Sequence, residues 1–408
     1  MGAVEARLNR YDAIVIGAGA AGLYAAMHAG RRGRRVLVLE HNAEAGQKIL
    51  ISGGGRCNFT NLHAGDHKRY ISANPHFARS ALARHPPADF IALIGKHGIA
   101  YYEKTLGQLF CEGVRSSKKI VQLLLDECAG AGVDVRTGVR VAGVSKSDGF
   151  RIETGSGAFE SETLAIATGG LSIPKLGATA FAYDVAKKFG VAIVATRPGL
   201  VPLTFDQHDL QWMRPLSGVS AEIIASCGKA QFREAALFTH RGLSGPAILQ
   251  ISSYWREGDA LTIDWLPDAD DDALARRKRE RAKAQLKTVL AEMLPERLAK
   301  ALLESGPANL SAPAPQDAAL GDMKDATLID VMRTLKAWPL TPMGTEGYAK
   351  AEVTVGGVDT DALSQQTMEC RTAPGLFFIG EAVDVTGWLG GYNFQWAWSS
   401  GWAAGQAL

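Results

Sequence analysis

Short apolar runs that alternate with segments of helical periodicity are the main pattern in the first half of the chain. Residues 13–16 are apolar and partly β-branched, as are residues 36–39 after Arg35, which predicts two buried parallel strands over 13–16 and 35–39. Between them, residues 20–32 predict a helix, and Gly33 suits its C-terminal cap. The alternation continues with a helix over 116–130, a strand over 133–141, a hairpin of 150–154 with 159–165, a buried strand over 164–168 and a helix over 181–189. This order is typical of one doubly wound α/β domain.

The pattern changes after residue 195. Short strand-like pieces separated by turn residues predict a β-rich region, with strands at 201–205, 221–226, 231–233 and 261–265. Residues 273–294 predict one basic helix with an apolar face. Residues 305–317 are rich in proline and alanine and predict a linker. Strand patterns return at 351–358 and 375–379, before a final helix that ends near residue 405.

These changes divide the chain into three predicted parts. The first domain is built from residues 10–194 and 345–408. Residues 195–267 and 319–344 form a β-rich middle domain, and residues 268–318 form a small helical insert. The last part of the chain therefore returns to the first domain and completes its site from the far end.

Composition mainly excludes classes of function. The 408 residues carry a formal net charge of +2, which argues against a nucleic-acid partner. The five cysteines have no C-x-x-C spacing, which excludes a vicinal redox disulfide and a zinc knuckle and fits a reducing compartment. Residues 13–30 contain no Asp, Glu, Lys or Arg, but their glycines and His28 interrupt any membrane span. We expect a cytoplasmic protein with no membrane partner and no metal site.

The first chemical motif is Gly17-x-Gly19-x-x-Gly22, which follows the first strand directly. Gly17 permits a tight turn, Gly19 lets the backbone approach a pyrophosphate, and Gly22 lets the next helix pack closely on the strand. The helix N-terminus then suits a diphosphate. Glu40 ends the second strand, where dinucleotide folds place the acid that binds the adenosine ribose. The motif predicts a dinucleotide cofactor and leaves FAD and NAD open.

A second block of glycines lies at residues 52–58, between Lys48 and the third strand-like segment. Three successive glycines offer several backbone N–H groups to one anionic or electron-rich ligand, and Lys48 and Arg56 add positive charge. Near the C-terminus, Asn393 is predicted as the N-cap of the last helix, whose positive end would favour a reduced flavin. Glu381 or Asp384 would hold the ribityl hydroxyls of that flavin.

The motifs occur in a characteristic combination: Gly17-x-Gly19-x-x-Gly22, Glu40, Ser52-Gly-Gly-Gly-Arg-Cys-Asn58, Ala167-Thr-Gly-Gly170, Phe238-Thr-His-x-Gly-x-Ser-Gly-Pro246, Val355-Gly-Gly357, and Gly380-Glu-x-x-Asp384 followed by Gly390-Gly-Tyr-Asn393. Over nearly its whole length the chain resembles the bacterial family of aminoacetone-oxidase-like and BaiN-like FAD-binding proteins. The resemblance implies FAD rather than NAD. It also implies a Rossmann-type FAD-binding domain built from both chain ends, with an inserted β-rich middle domain that carries a small helical subdomain.

The motifs and the resemblance together predict the cofactor-binding residues. They are Gly17, Gly19, Ala20, Ala21, Gly22, Glu40, Lys48, Ser52, Gly53, Gly54, Arg56, Cys57, Asn58, Val141, Thr168, Gly169, Gly170, Gly380, Glu381, Asp384, Gly391, Tyr392 and Asn393. The chain departs from the family at Phe110-Cys111, where the resemblance leads us to expect Phe-Pro. This departure affects the local turn more than the chemistry.

The resulting prediction is an FAD-dependent oxidoreductase that acts on a small organic substrate, by C–N or C–C oxidation or reduction at the flavin. No second GxGxxG follows a strand, so we expect oxygen or a transiently bound NAD(P)H to exchange electrons with the flavin. Two alternatives remain open: a flavin-bearing binding or sensor protein, and a nucleic-acid-modifying flavoenzyme that uses the basic helix 273–294. The sequence does not predict the oligomeric state.

No catalytic base is evident. His240 is the best polar candidate, although a structural histidine fits the same pattern. Tyr392 and Trp388 are better suited to shape the pocket than to transfer protons. Cys57 lies in an electropositive glycine loop that would lower its pKa, but the sequence offers it no partner cysteine.

Overall fold

The computed structural model describes residues 9–305 and 317–408. These residues form two compact units. Unit 1 contains the described residues up to Arg197 together with residues 353–408, and unit 2 contains the described part of residues 198–352. The chain therefore returns to unit 1 at residue 353, later than the predicted residue 345. The predicted linker 305–317 lies almost wholly outside the described residues, and a separate helical insert over 268–318 stays a prediction.

The regular elements are as follows. The strands are β1 (Arg10–Ile16), β2 (Val36–Leu39), β3 (Asn58–Asn61), β4 (Tyr70–Ile71), β5 (Tyr101–Glu103), β6 (Gln108–Cys111), β7 (Asp134–Arg136), β8 (Val141–Lys146), β9 (Phe150–Thr154), β10 (Gly157–Ile166), β11 (Ile193–Gly199), β12 (Leu203–Thr204), β13 (Ser220–Cys227), β14 (Ala230–Thr239), β15 (Gly242–Ser244), β16 (Leu261–Asp264), β17 (Trp338–Leu340), β18 (Gly344–Thr345), β19 (Val353–Val358), β20 (Leu376–Phe378) and β21 (Thr386–Gly387). The helices are α1 (Ala20–Arg31), α2 (Gln47–Gly55), α3 (Arg79–Arg84), α4 (Pro87–Lys96), α5 (Ser117–Gly130), α6 (Phe181–Lys188), α7 (Gln207–Met213), α8 (Pro246–Ser252), α9 (Ala273–Glu280), α10 (Leu286–Ala291), α11 (Glu296–Glu304), α12 (Asp325–Lys336) and α13 (Tyr392–Gly405).

The main sheet of unit 1 is parallel through its centre. Its order is β7-β2-β1-β10, and β20 also pairs with β10. Val15 lies opposite Val38 on one side and Ala165 on the other. All three side chains are buried, because a parallel sheet is covered on both faces and its strands are continuous apolar runs. The predicted hairpin is present as β9 and β10, and β8 continues it in the antiparallel sense.

Residues 133–141 do not form the single strand that their alternation predicts. They are divided into β7 and the start of β8, and Gly138 between them has φ +70°. The N–H of Gly138 donates to the carbonyl oxygen of Asn42 at 2.8 Å, and the N–H of Val139 donates to that of Glu40 at 2.8 Å. These hydrogen bonds hold the segment against the end of β2, because its backbone groups find partners there rather than in the sheet.

Helices α1 and α13 pack with their backbones in close contact. A Cβ atom on Gly401 would lie 2.6 Å from the carbonyl oxygen of Ala21, and one on Gly405 would lie 2.7 Å from that of Ala25. Arg32 at the end of α1 donates from Nη1 to the carbonyl oxygen of Gly405 at 3.1 Å, where the negative end of α13 favours a cation. The first and last helices of unit 1 are therefore held together by small residues.

Two smaller sheets surround the second glycine block. One has the antiparallel order β3-β6-β5, in which Phe110 of β6 lies opposite both Asn58 and Tyr102. The other pairs β4 with β21, with Ile71 opposite Thr386. The second sheet joins a segment near the beginning of the chain to one near its end.

Unit 2 is built on an antiparallel sheet with the order β17-β16-β13-β14-β15-β12-β18. The single helix predicted over 273–294 is wrong, because the structure has α9 and α10 with a turn between them. In that turn, the carbonyl oxygens of Ala282 and Ala284 accept hydrogen bonds from the N–H groups of Gly321 and Leu320 at 2.8 and 2.9 Å. A continuous helix would use these carbonyl oxygens internally, so the contact with residues 320 and 321 interrupts it.

Across residues 9–305 and 317–408, every helix is too short or too polar to cross a membrane.

His85 is a buried histidine of unit 1. Its Nε2 is 2.8 Å from the hydroxyl of Tyr24, its ring stacks on that of Trp402 at 5.5 Å, and its carbonyl oxygen accepts from Nε2 of Gln395 at 3.0 Å. Burial lowers the pKa of His85 from 6.5 to about 4. Burial also lowers the pKa of His28, which packs near the same ring, to about 3.

We expect these two histidines to make the protein sensitive to acid. Below pH 6.5 the unfolded chain protonates His85, whereas the folded chain does not until about pH 4, so stability falls as the pH is lowered through this window. For His85 the loss is on the order of 3 kcal/mol. Urea unfolding of wild type and His85→Gln between these pH values measures the effect. An equally steep loss of stability in the variant would contradict it.

Candidate functional site

The three glycines of the first turn have different surroundings. A Cβ on Gly17 would lie 2.5 Å from the carbonyl oxygen of Ala167, and one on Gly22 would lie 1.9 Å from that of Gly17. A Cβ on Gly19 would meet no protein atom within 4 Å, and the extended backbone of Gly19 is open to any residue. Packing within the chain therefore requires glycine at 17 and 22. The open space beside Gly19, before the N–H groups of Ala20 and Ala21, fits a diphosphate.

Glu40 lies just beyond β2 and is buried. Its Oε2 accepts from the N–H of Ala18 at 2.9 Å, and its Oε1 accepts from the N–H of Asn42 at 2.8 Å. These backbone donors fix the carboxylate. Each oxygen keeps further acceptor capacity, so the group can also accept from ribose hydroxyls.

A cleft lies at the carboxyl ends of the central parallel strands, where Rossmann sheets bind dinucleotides. Its lining residues are Ile16, Gly17, Leu39, His41, Val139, Arg140, Val141, Thr168, Thr179 and Phe181. Two buried polar atoms of this lining, Thr168 Oγ1 and His41 Nε2, have no hydrogen-bond partner within residues 9–305 and 317–408. Buried polar atoms are normally paired, so the cleft fits a ligand that supplies hydrogen-bonding groups. Its place and its donors fit the adenosine and diphosphate half of FAD.

The second glycine block is a helix followed by a left-handed turn. Helix α2 becomes non-helical at Ser52, whose hydroxyl donates to the carbonyl oxygen of Ile49 at 2.8 Å. Gly53 and Gly54 have φ of +55° and +66°, which favours glycine at both positions. A Cβ on Gly53 would also lie 2.7 Å from Cε1 of Phe110, whereas Gly54 faces open space. Both glycines are exposed, so the loop can accept a ligand.

Lys48 and Glu381 form an ion pair that joins the two chain ends of unit 1. Lys48 Nζ lies 2.7 Å from Glu381 Oε2 and 2.6 Å from the hydroxyl of Ser172. The other carboxylate oxygen accepts from Ser172 at 2.8 Å and from the N–H of Thr354 at 2.9 Å. Gly170 is confined in the same place, because a Cβ there would lie 2.4 Å from Thr354 Oγ1. Contacts of Lys48, Gly170 and Glu381 with FAD stay a prediction.

Two more contacts bring the ends together. Gly380, with φ +65°, lies so close to α1 that its Cβ would be 2.9 Å from that of Ala21. Asp384 is buried, and its Oδ2 accepts from the N–H of Ala73 at 2.7 Å. Gly169 takes φ +72° beside Glu381. The predicted residues therefore lie in one region of unit 1. They belong to the first glycine turn, to the segment 168–170 after β10 and to the C-terminal motif.

The prediction that Asn393 caps the last helix is wrong. Helix α13 begins at Tyr392, after Gly391 in a left-handed conformation, and Asn393 is its second residue. The Asn393 amide instead accepts from the N–H of Gly387 at 2.9 Å and donates to its carbonyl oxygen at 2.9 Å. The Asn393 side chain therefore fixes the preceding loop. Both its amide oxygen and its amide nitrogen are used in these contacts.

Asn58 has a similar structural task. In the orientation that suits its neighbours, its amide donates to the carbonyl oxygens of Leu109 and Thr60 and accepts from the N–H of Gly391 at 3.2 Å. A Cβ on Gly391 would lie 2.4 Å from the carbonyl oxygen of Thr60. The glycine block and the start of α13 are therefore in contact.

The structure contradicts the expectation that the glycine loop lowers the pKa of Cys57. Its side chain is fully buried, and burial raises the pKa of the thiol well above its usual range. The electropositive loop was expected to lower this pKa, but the desolvation of the buried thiol has the larger effect. Cys111 lies beside it, since its N–H donates to the carbonyl oxygen of Cys57 at 3.4 Å, and burial raises the pKa of the Cys111 thiol to about 12.

His240 belongs to unit 2, whereas the other predicted site residues belong to unit 1. It is exposed in the turn between β14 and β15, and its carbonyl oxygen accepts from Nε of Arg214 at 3.4 Å.

Arg69 was not predicted from the sequence, whereas Trp388, like Tyr392, was predicted to shape the pocket. Arg69 Nη1 donates to the hydroxyl of Tyr392 at 2.6 Å, and its guanidinium lies 5.4 Å from the ring centroid of Trp388. Tyr392 is buried, whereas the Arg69 side chain is 33% exposed. A cation is thus held at the start of α13. The two segments are over 300 residues apart in the chain, and the pairing of β4 with β21 is one of the contacts that bring them together.

Comparison with known families matches residues 11–407 to the HI0933-like protein Rossmann domain. The chain belongs to the HI0933-like family. Ribosomal RNA dihydrouridine synthase of Escherichia coli (strain K12) is 49% identical over 404 residues, which cover 98% of each chain. The enzyme of that name from Haemophilus influenzae (strain ATCC 51907 / DSM 11121 / KW20 / Rd) is 43% identical over 97% of this chain and 98% of its own. The 3-dehydro-bile acid delta(4,6)-reductase of Clostridium scindens (strain ATCC 35704 / DSM 5676 / VPI 13733 / 19) is 30% identical over 96% of this chain and 98% of its own.

Membership of this HI0933-like family confirms the predicted fold class and cofactor. The chain is an FAD-binding Rossmann flavoprotein of the oxidoreductase class. The three relatives named above do not include an aminoacetone oxidase, so that part of the resemblance stays a prediction.

The expectation that nucleic acid is not a partner is wrong. Two relatives that match nearly the whole chain are named for ribosomal RNA. The expectation relied on the net charge of +2. Net charge reports the sum of the charges and carries no information about where unpaired cations lie.

We expect Gly19→Ala to weaken FAD binding about tenfold or more, because the methyl group enters the space of the diphosphate. The stability of the FAD-free protein should fall by less than about 1 kcal/mol, since no protein atom is displaced and alanine is only a poorer N-cap residue than glycine. The matched variant Gly22→Ala should lower that stability by roughly 1–3 kcal/mol, because its Cβ collides with the Gly17 carbonyl. Flavin absorbance after dialysis and thermal unfolding measure the two effects. Normal flavin retention by Gly19→Ala would contradict this assignment.

Proposed function

We propose that this chain reduces uridine in ribosomal RNA to dihydrouridine and uses FAD for the reduction. The observation that carries the proposal is the 49% identity, over 98% of both chains, to an enzyme named ribosomal RNA dihydrouridine synthase. A second relative with that name is 43% identical over a similar length. Of the alternatives that the sequence left open, this corresponds to the nucleic-acid-modifying flavoenzyme.

The chemistry defines what the chain must supply. Reduction of the C5–C6 double bond of uracil needs a hydride and a proton, and bound FAD supplies the hydride when it is reduced. The double bond is conjugated with the C4 carbonyl group, so negative charge develops on that oxygen during the transfer. A fixed cation or N–H donor beside this oxygen would stabilise the charge.

Arg69 is the candidate for that task. Tyr392 holds its guanidinium at 2.6 Å, and its carbonyl oxygen accepts from the N–H of Trp388 at 3.1 Å, so the residue is fixed at both ends. Its nearest carboxylate is that of Asp66, at 3.6 Å, which is exposed. An exposed carboxylate at this distance neutralises the Arg69 guanidinium only weakly. Most of the positive charge of Arg69 is therefore available to a substrate oxygen. We assign Tyr392 the task of positioning Arg69, because its ring is buried.

The bile acid reductase relative favours a second candidate function, the reduction of a carbon–carbon double bond in a small organic substrate. It is 30% identical over nearly the whole chain, a weaker likeness than that of the two RNA enzymes. This candidate matches the small-substrate chemistry that the sequence suggested. A carbonyl-conjugated double bond would place the same demand on Arg69.

The direct test is to incubate the purified holoenzyme with unmodified ribosomal RNA transcribed in vitro, with NADH, NADPH or dithionite as reductant. We expect dihydrouridine to appear in nuclease digests analysed by mass spectrometry. Parallel reactions with a 3-oxo-Δ4 steroid test the second candidate. Turnover of the steroid without any dihydrouridine would replace the proposal by that candidate, and no product from either substrate would refute both.

Arg69→Met is expected to lower kcat for RNA reduction by roughly 100-fold, because one donor to the developing oxyanion is lost. FAD content should remain normal. Arg84→Met is the matched control, since Arg84 also lies over a tryptophan ring, that of Trp402, at 4.9 Å. Trp402 is ten residues beyond Tyr392 on α13, about 15 Å along the helix axis. Equal kcat values for the two variants would contradict the assignment.

A further inference from the structure

Beside the second glycine block, unit 1 exposes a surface of aromatic and basic side chains. We call it the loop patch and define it as Arg56, Tyr101, Tyr102 and Lys104, together with the buried ring of Phe110 beneath them. Arg56 Nη1 donates to the hydroxyl of Tyr102 at 3.1 Å, and the Tyr102 ring stacks on Phe110 at 5.9 Å with an interplanar angle of 22°. Lys104 Nζ lies 5.6 Å from the centroid of Phe110. The patch is therefore an ordered stack of rings with a cation at each end.

Exposed apolar side chains concentrate around this patch. Val114 is 94% exposed, Leu106 62% and Ile51 48%, and Tyr101 of the patch itself is 39% exposed. Leu106 is in the turn between β5 and β6, Val114 follows β6, and Ile51 is on α2 just before the glycines. Exposed apolar side chains on neighbouring elements are typical of an interaction surface.

The cations of this region are available for a partner. Arg56, Lys104, Arg115, Lys118 and Lys119 are all exposed, and within the described residues none of them forms an ion pair with a carboxylate. The first turn of α5, which carries Lys118 and Lys119, is held against α2 by a hydrogen bond from Ser117 Oγ to the carbonyl oxygen of Leu50 at 2.9 Å. Positive charge therefore surrounds the loop patch, with Glu103 and Glu112 as the acidic residues of the same segment.

The basic segment of unit 2, residues 276–283, differs because several of its cations are paired with carboxylates. Arg276 pairs with Asp270 at 2.8 Å, and Lys278 pairs with Asp325 at 2.8 Å. Arg281 pairs with Glu292 at 2.6 Å. These cations are already neutralised within the unit, so they attract phosphate groups weakly.

We propose that a single-stranded segment of RNA binds on the loop patch, with its bases against Tyr101 and Tyr102 and its phosphates near the surrounding cations. This inference rests on the proposed function, because it names the surface that binds that substrate. Bases stack on exposed aromatic rings only when they are unpaired, which favours a loop or an opened strand over a duplex. Lysine and arginine side chains beside the rings fit the backbone phosphates.

The position of the patch connects it to the site. Gly53 packs directly on Phe110, so the loop that is predicted to contact FAD rests on the same ring that carries Tyr102. Nucleotides stacked on the patch would therefore bring a neighbouring base to the glycine block. This arrangement explains why a loop of three glycines next to a cofactor site is bordered by exposed apolar and basic residues.

The test measures binding of the FAD-loaded protein to a fluorescein-labelled single-stranded RNA of about 12 nucleotides by anisotropy. Tyr102→Ala is expected to raise Kd about tenfold, because one stacking platform is lost. Tyr102→Phe keeps the ring and should bind as the wild type does. Lys104→Ala should raise Kd and lower the slope of log Kd against log salt by about one, because one phosphate contact is lost.

Lys146→Ala is the matched control, since Lys146 also lies over a phenylalanine ring, that of Phe150, at 5.2 Å. Its Kd should equal that of the wild type. Flavin absorbance and melting temperature verify that each variant is folded. Wild-type affinity in both Tyr102→Ala and Lys104→Ala would overturn the proposal.

The outcomes separate this inference from the proposed function. If the protein forms dihydrouridine and the patch variants form it with unchanged KM, the loop patch is refuted and the function stands. If RNA binding depends on the patch but the wild type forms no dihydrouridine, the function is refuted and the surface stands.

Discussion

The close contact between the backbones of α1 and α13 is the constraint on which unit 1 depends. Gly401 and Gly405 leave no room for a side chain against α1, so the two helices can lie together only if these positions stay small. The arrangement buries Trp398 and Tyr24 around the contact. Such packing has little tolerance, because added volume in a close-packed interface must displace backbone.

This contact has a direct consequence for the site. Once α13 lies on α1, its first residues and the loop before it must lie beside the glycine turn and the second glycine block. The ion pair of Lys48 with Glu381 and the hydrogen bond of Asn61 to the carbonyl oxygen of Gly390, at 2.9 Å, then lock the two ends. The candidate site is therefore completed only when the last residues of unit 1 have folded back. If FAD contacts these residues as predicted, cofactor binding and folding of the C-terminus are thermodynamically linked.

The parts of this arrangement that could be predicted from sequence are those with local causes. The three glycines of the first turn and the apolar strands carry their signal within a few residues. Asn393 was wrongly predicted to cap α13. Its side-chain amide instead binds the backbone of Gly387 in the preceding loop, which the local sequence does not show. The helix predicted over 273–294 is broken by residues 320 and 321, which its own periodicity cannot show. The pKa of Cys57 depends on burial, which composition does not report.

The charged residues show the same limit of prediction from sequence, and in this case the limit affects the prediction of function. In the sequence, residues 276–283 are the most basic segment, whereas Lys104 has no basic neighbour. Tertiary structure reverses their importance, because carboxylates such as Asp325 and Glu292 pair with the basic segment. Lys104 instead lies on an aromatic ring with no carboxylate partner in the described chain. An unpaired cation keeps its attraction for phosphate, whereas a paired one must first give up its partner. For a protein of near-neutral net charge, the distribution of unpaired cations is therefore the better guide to a nucleic-acid surface.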